Sequence, residues 1–293
     1  MRESGNPNKP APFSYPIHAF WLKWESLAGR KMKRRQLIRY AGASAIAATG
    51  IPLVSHFQPT LAQSKDSLLV QYLGHTSFLF TGGGLRILAN PFRAIGCTAG
   101  YRLPKVEADL VIISSQLWDE GAAENLPGNP KVLYESGVYE INGLRIQGIG
   151  SPHDRKEGKQ FGQNVAWRWT QGGIRVVHLG GAASPINIEQ KILLGTPDLA
   201  LIPVGGGPKA YTPEEGKKAM EILRPKIMIP THYLTSAADK KACDLAPIQN
   251  FLELVKEMNV KEINDNQLRL KSSDLPKEGT LVRILNYKPV LKK

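Results

Sequence analysis

Cysteine is scarce: the 293 residues hold two, Cys97 and Cys243. They stand far apart and outside any C-x-x-C spacing, which argues against a zinc knuckle or a local redox pair. They read as structural or free, and a disulfide stays open if the protein is exported. Long apolar runs are missing as well. The Ala/Gly-rich run at residues 40–55 is too short and too weakly apolar for a spanning helix. No cluster of Lys and Arg interleaved with aromatics follows the first 62 residues, so no nucleic-acid partner is expected. The formal charge of +13 is unevenly spread. Residues 1–62 carry nine Lys/Arg against two Asp/Glu, and the remainder carries 29 against 23. The basic balance is therefore partly a property of the leading segment. A hydrophobic content of 42% is ordinary for a globular chain.

The leading segment has its own pattern. Lys31-Met32-Lys33-Arg34-Arg35-Gln36-Leu37-Ile38-Arg39 sets paired arginines just before two apolar residues. The weakly apolar run follows, then Pro59-Thr60-Leu61-Ala62-Gln63, with small Ala62 where a signal peptidase would cut. This resembles a twin-arginine export signal. Residues 1–31 are read as an extension ahead of it, with Met32 as a candidate start. Residues 32–62 are the signal segment and 63–293 one domain. The expected destination is the periplasm, or the thylakoid lumen if the host is photosynthetic. The membrane would be touched only through an uncleaved signal.

In the remaining chain, residues 68–80 read as one strand, with Gly82-Gly83-Gly84 as the turn to a partner at 85–88. Short strands are expected at 108–114, 131–134, 137–141, 144–149, 164–170, 174–179, 199–203, 226–230, 267–270 and 280–285. A helix is expected over 213–223, with Thr212 as its N-cap and Pro213 at the first position. A second helix is expected over 246–258. Many strands first, then a strand–helix–strand unit, suggest an α/β chain of two packed sheets with outer helices.

Chemistry-bearing residues gather at the strand ends. YLGHTSFLF (72–80) and RILANPF (86–92) lead to ADLVIISSQLWDEG (108–121). GSPHD (150–154), VHLGGA (177–182), LIPVGGGPKAYTPEE (201–215) and RPKIMIPTHY (224–233) follow. Together, over about residues 68–235, these resemble the metallo-β-lactamase superfamily, in particular its Zn-dependent hydrolases similar to ascorbate-6-phosphate lactonase. The resemblance implies an αββα sandwich and a two-metal site fed by a T-H-x-H-x-D-H loop. Here that loop reads Ser114-Ser115-Gln116-Leu117-Trp118-Asp119-Glu120.

Carried over by position, the first ion would face Ser115, Leu117 and His153. Leu117 cannot ligate a cation, and a serine hydroxyl is a poor zinc ligand. The bridging aspartate falls on Gly181. The second position keeps Asp119, Glu120 and His232. The family's I-D-P becomes Ala89-Asn90-Pro91. One metal is thus conceivable and two are not. The expected ligands are Asp119, Glu120, His153 and His232, with Asp119 also the catalytic candidate. The degenerate positions are Ser115, Leu117 and Gly181. The cofactor is one divalent ion, Zn, Mn or Fe, or none; oxygen-rich ligation tilts away from zinc.

His75, Trp118 and Gly206 are expected to line a substrate or partner cleft, and His178 to pack inside its strand. Gly205-Gly206-Gly207 lacks the following Lys-Ser/Thr of a phosphate loop. Two functions follow. One is a non-catalytic binding or assembly protein that recognises a small molecule or an exported partner protein. The other is a mononuclear hydrolase of an ester, lactone or phosphoester using Asp119, Glu120 and His232.

Overall fold

The computed structural model describes residues 66–288. The extension, paired arginines and cleavage point expected within residues 1–62 lie outside the described residues. The first apolar stretch does not continue as one strand. It forms β1 (Leu68–Gly74) and β2 (Ser77–Gly82), paired antiparallel. Between them Gly74 has φ 112° and His75 φ 55°, and left-handed backbone cannot extend a strand. β3 (Leu85–Ala89) closes the next hairpin through Gly83-Gly84, both at positive φ.

The chain continues through β4 (Leu110–Ile112), β5 (Lys131–Leu133), β6 (Gly137–Ile141), β7 (Leu144–Pro152), β8 (Gln163–Gln171) and β9 (Ile174–His178). Then come α1 (Ile188–Leu194), β10 (Leu199–Pro203), α2 (Pro213–Leu223), β11 (Ile227–Thr231) and α3 (Gln249–Leu254). β12 (Asn259–Ile263), β13 (Gln267–Leu270) and β14 (Leu281–Leu285) end the described chain. One sheet orders its strands β13-β1-β2-β3-β4-β5; the other runs β12-β14-β11-β10-β9-β8-β7-β6.

Alternation decides the faces. Leu68, Val70 and Tyr72 of β1 and Val165, Trp167 and Trp169 of β8 meet in the core between the sheets. Trp167 also ties the sheets by a hydrogen bond, its Nε1 donating to Ile113 O at 3.0 Å. β10 and β11 are buried along their whole length, which explains why LALIP and IMIPT read as unbroken apolar runs. Behind them Ala200, Ile202 and Met228 pack on Ala219, Met220 and Leu223 of α2 and Phe251 of α3. Over the six-stranded sheet, Leu88 and Val111 are covered by Val106, Ala123 and Leu126 from loops. Among the described residues the helical layers of the sandwich therefore reduce to one.

α2 matches its expected bounds. Thr212 Oγ1 accepts from Glu215 N at 3.2 Å, and Glu215 Oε2 accepts from Thr212 N at 2.8 Å, a local box legible in T-P-E-E. The helix expected over 246–258 shrinks to α3, and the sequence reading has no counterpart of α1 or β12. The cysteines, left open by the sequence, form a disulfide across a separation of 146 residues. It joins the loop after β3 to the segment after β11.

Candidate metal centre

Six loops meet at one end of the sandwich, each leaving the C-terminal end of a strand. They bring His75 after β1, residues 114–121 after β4, His153 after β7, Gly180-Gly181 after β9, residues 205–210 after β10 and His232 after β11. His75 and His232 are both left-handed, at φ 55° and 53°. His232 N donates to His75 O at 3.3 Å, and their rings meet edge-on with centroids 4.2 Å apart. Holding a non-glycine residue in that region costs about 1–3 kcal/mol, and such strain collects at functional sites.

The loop after β4 is shaped by its own hydrogen bonds. Asn90 Oδ1 accepts from Ser114 N at 2.8 Å, so the neutral residue of Ala89-Asn90-Pro91 still anchors this loop. Ser115 Oγ accepts from Leu117 N at 3.1 Å. Leu117 O accepts from Glu120 N at 3.0 Å and Gly121 N at 2.7 Å. A side chain at Gly121 would place its Cβ 2.3 Å from Ser115 O, so the coil closes only on glycine. The coiled loop buries Glu120 completely and leaves Trp118 56% exposed. The Arg93 guanidinium lies 4.5 Å above the Trp118 ring.

Glu120 is the centre of the site. Its Oε2 lies 3.4 Å from His153 Nε2 and its Oε1 3.5 Å from His232 Nδ1. One donor atom each from His75, Glu120 and His232 fall within 4.8 Å of one another. The room for the carboxylate comes from Gly181. A Cβ there would sit 2.4 Å from Glu120 Oε1 and 2.6 Å from His153 Nε2. Glu120 thus occupies space that a side chain at position 181 would need.

Burial sets the charge states. It pushes His75 and His153 down to about 4 and His232 well below its ordinary value. Burial, aided by the neighbouring Asp119 charge, pushes Glu120 up to about 8. The three imidazoles are therefore neutral donors. His75 Nε2, His232 Nδ1, both His153 nitrogens and both Glu120 oxygens are buried without a hydrogen-bond partner. Buried polar atoms are rarely left so. A divalent ion held by His75, Glu120 and His232 would satisfy one donor atom of each, and a two-histidine, one-carboxylate set would suit zinc or iron. The residues present fit such an ion.

The other expected site residues are placed as follows. Asp119 lies outside the three-residue cluster, in an ion pair with Lys209. Burial alone would raise the Asp119 carboxyl, but the ammonium holds it below its ordinary value. Ser115 spends its hydroxyl on the loop, and Leu117 is half-buried beside it. Gly206 is buried at φ 73° and turns the rim loop, donating from its N to Tyr211 O at 2.7 Å. His178 packs as expected: its Nδ1 accepts from Gly180 N, and its Nε2 donates to Thr76 O, both at 3.0 Å. Lys209 was not anticipated. The only signal for it was its place in the Gly-rich rim loop.

Comparison with known proteins agrees with this geometry. A family model described as a β-lactamase superfamily domain matches residues 69–232. A UPF0173 metal-dependent hydrolase of Thermococcus onnurineus is 29% identical over 191 residues, covering 57% of this chain and 84% of that protein. Among solved structures, a Thermotoga maritima protein assigned as a Zn-dependent hydrolase of the metallo-β-lactamase superfamily is 28% identical. It superposes with a TM-score of 0.59 over 75% of this chain and 100% of its own. A protein from Parabacteroides distasonis assigned as a metal-dependent hydrolase is 21% identical, with a TM-score of 0.50 over 75% of this chain and 94% of its own, and shares the fold. The two packed sheets, the loops gathered at one end and the matched span of 69–232 lead to one conclusion: the chain belongs to the metallo-β-lactamase superfamily.

Proposed function

We propose that this protein is an exported metal-dependent hydrolase reduced to one divalent ion, held by His75, Glu120 and His232. The observation that carries the reading is the buried cluster of unpartnered donors around Glu120. A metallo-β-lactamase-fold protein that had dropped metal chemistry altogether would be expected to fill this space with apolar side chains or paired polar ones.

A divalent ion held there would supply Lewis acidity, lowering the pKa of water and polarising a carbonyl or phosphoryl oxygen. The chain's own residues do the rest. His75 and His232 are locked by backbone conformation and by their mutual contact, so their donor atoms are preorganised. Glu120 is the only acid among the three, and a bound cation would draw off its proton to give the one negative charge there. His153 Nε2, neutral and 3.4 Å from Glu120, is a proton acceptor at the same point. The substrate class is an ester, lactone or phosphoester.

The test is ion content by mass spectrometry on the full chain purified without chelator, followed by turnover of p-nitrophenyl esters, lactones and phosphoesters. About one ion per chain is expected, with ion and turnover both lost in His232→Ala. Absence of any ion after exposure to excess Zn, Mn and Fe would overturn the reading.

Export rests on the Arg34-Arg35 segment, and the disulfide between Cys97 and Cys243 supports it, because such bonds persist in oxidising compartments. Replacing both arginines with lysine should leave the protein in the cytoplasm on fractionation. A second reading, a silent binding protein, is favoured by exposed Trp118 under the Arg93 guanidinium. A partner protein anchored there would be released by Trp118→Ala.

A further inference from the structure

His75 and His232 both hold left-handed backbone, and a single side chain touches the turns that carry them. Tyr101 is buried, and its ring lies against Gly74, the residue before His75. A Cβ at Gly74 would fall 2.4 Å from Tyr101 Cδ1 and 2.8 Å from its Cε1. The Tyr101 hydroxyl is hydrogen-bonded to Thr235 Oγ1 at 2.5 Å, three residues after His232. Resting on the one-ion reading, we infer that Tyr101 is a positioning residue that braces the turns of His75 and His232 together, and that the Cys97–Cys243 disulfide keeps it there.

The two segments that meet at Tyr101 have little regular structure of their own. Between β3 and β4 the chain makes one helical turn, Gly96–Thr98. Between β11 and α3 it makes a single bridge, Leu234 to Pro247. Cys97 lies in the helical turn and Cys243 in the facing segment, so their bond joins the two. Tyr101 N donates to Thr98 O at 3.0 Å, which ties Tyr101 to the turn that holds Cys97. A Cβ at Gly100 would fall 2.1 Å from Ala237 O, so the segments touch backbone to backbone. The Tyr101 ring meets Phe92 and Tyr287 edge-on, with centroids 5.9 and 4.8 Å away, in a small cluster that Ala238 and Cys243 join. So few apolar contacts hold irregular segments weakly, and the covalent bond carries much of the constraint.

Both cysteines are half-buried, within reach of a dithiol. Exchange with it forms the dithiol's own disulfide and returns Cys97 and Cys243 as thiols, each having gained one electron and one proton. The released segments free Tyr101 from Gly74 and Thr235, and the two imidazoles lose their common brace. The oxidised chain is therefore the form that binds the ion tightly.

The experiment measures zinc affinity by chelator competition and the visible spectrum of cobalt-loaded protein, all on full chains. It compares wild type, wild type reduced with dithiothreitol and desalted without air, Cys97→Ser/Cys243→Ser, Tyr101→Ala, Tyr101→Phe and Thr212→Ala. Reduction, the serine pair and Tyr101→Ala should each weaken zinc binding on the order of tenfold or more, as changes just outside a metal's ligands do, and shift the cobalt bands. The serine pair separates loss of the bond from zinc taken up by freed thiols. Tyr101→Phe, which keeps the ring on Gly74, should recover most of the loss. Thr212→Ala should lower the melting temperature and change neither reading. If thermal melting shows that Tyr101→Ala or the serine pair does not fold, Tyr101→Leu and Cys97→Ala/Cys243→Ala carry the same expectations. Wild-type affinity in folded Tyr101→Ala would overturn the inference while leaving the metal centre standing. So would a loss in Thr212→Ala as large as that in Tyr101→Ala, which would mark general destabilisation. Wild-type affinity in the serine pair would overturn the role of the disulfide. Zinc in none of the proteins would overturn the one-ion reading itself.

Discussion

The floor and the mouth of the site each carry one carboxylate, and the two are neighbours in sequence. At the floor Glu120 is fully buried among neutral imidazoles, and burial pushes it up to about 8. At the mouth Asp119 is partly exposed, meets Lys209 and is held below its ordinary value. The same loop thus prepares one acid to wait for a cation and supplies the other with one permanently. Adjacent residues on a coiled loop point to different surroundings, and in a low-dielectric site the surroundings, more than the residue type, set the charge.

The sharpest way to break this comparison is to remove each acid in turn. Glu120→Gln should weaken zinc binding by a hundredfold or more, whereas Asp119→Asn should weaken it on the order of tenfold. Chelator competition separates the two, and equal losses would show that floor and mouth share one role. Next in size is the space at Gly181. Gly181→Asp should cost about 1–3 kcal/mol in urea unfolding, because its Cβ would meet Glu120 Oε1 at 2.4 Å. In a Glu120→Ala background the cost should fall but not vanish, because the approach to His153 Nε2 at 2.6 Å remains.

The metal-free protein should be acid-labile, and the window separates the two regions further. His75, His153 and His178 have folded values near 4, well below the unfolded 6.5. Their depressed values add stability above pH 6.5 that is lost as pH falls towards 4. Asp119 is also depressed, from 3.8, so its pairing persists through that window and fails only at lower pH. A melting temperature that stays flat from pH 6.5 to 4 would contradict this assignment. The smallest effect belongs to a position away from both regions. Thr212→Ala should cost about 1 kcal/mol by loss of the α2 cap, with zinc affinity unchanged.

Much of the frame was legible. The box Thr212-Pro213-Glu214-Glu215 marks the start of α2 by contacts within one turn, and the structure starts the helix there. The unbroken apolar runs of β10 and β11 mark strands covered on both faces. His153 and His232 were recognisable because the residues flanking them keep the family pattern. The break at His75 was not legible, since alternation continues across it while the backbone turns left-handed. Nor was the role of His75 as a donor: its sequence context shows a cleft residue, and only the contact with His232 brings its ring to Glu120.

The sequence by itself determined the class of fold and the strand ends that carry the chemistry. Those follow from side-chain identity and short-range pattern. Tertiary structure alone decided which donors meet, that Cys97 joins Cys243, and that Lys209, ninety residues from Asp119, becomes its partner. Such pairings depend on how distant loops close over one another, and neither composition nor local spacing records that closure.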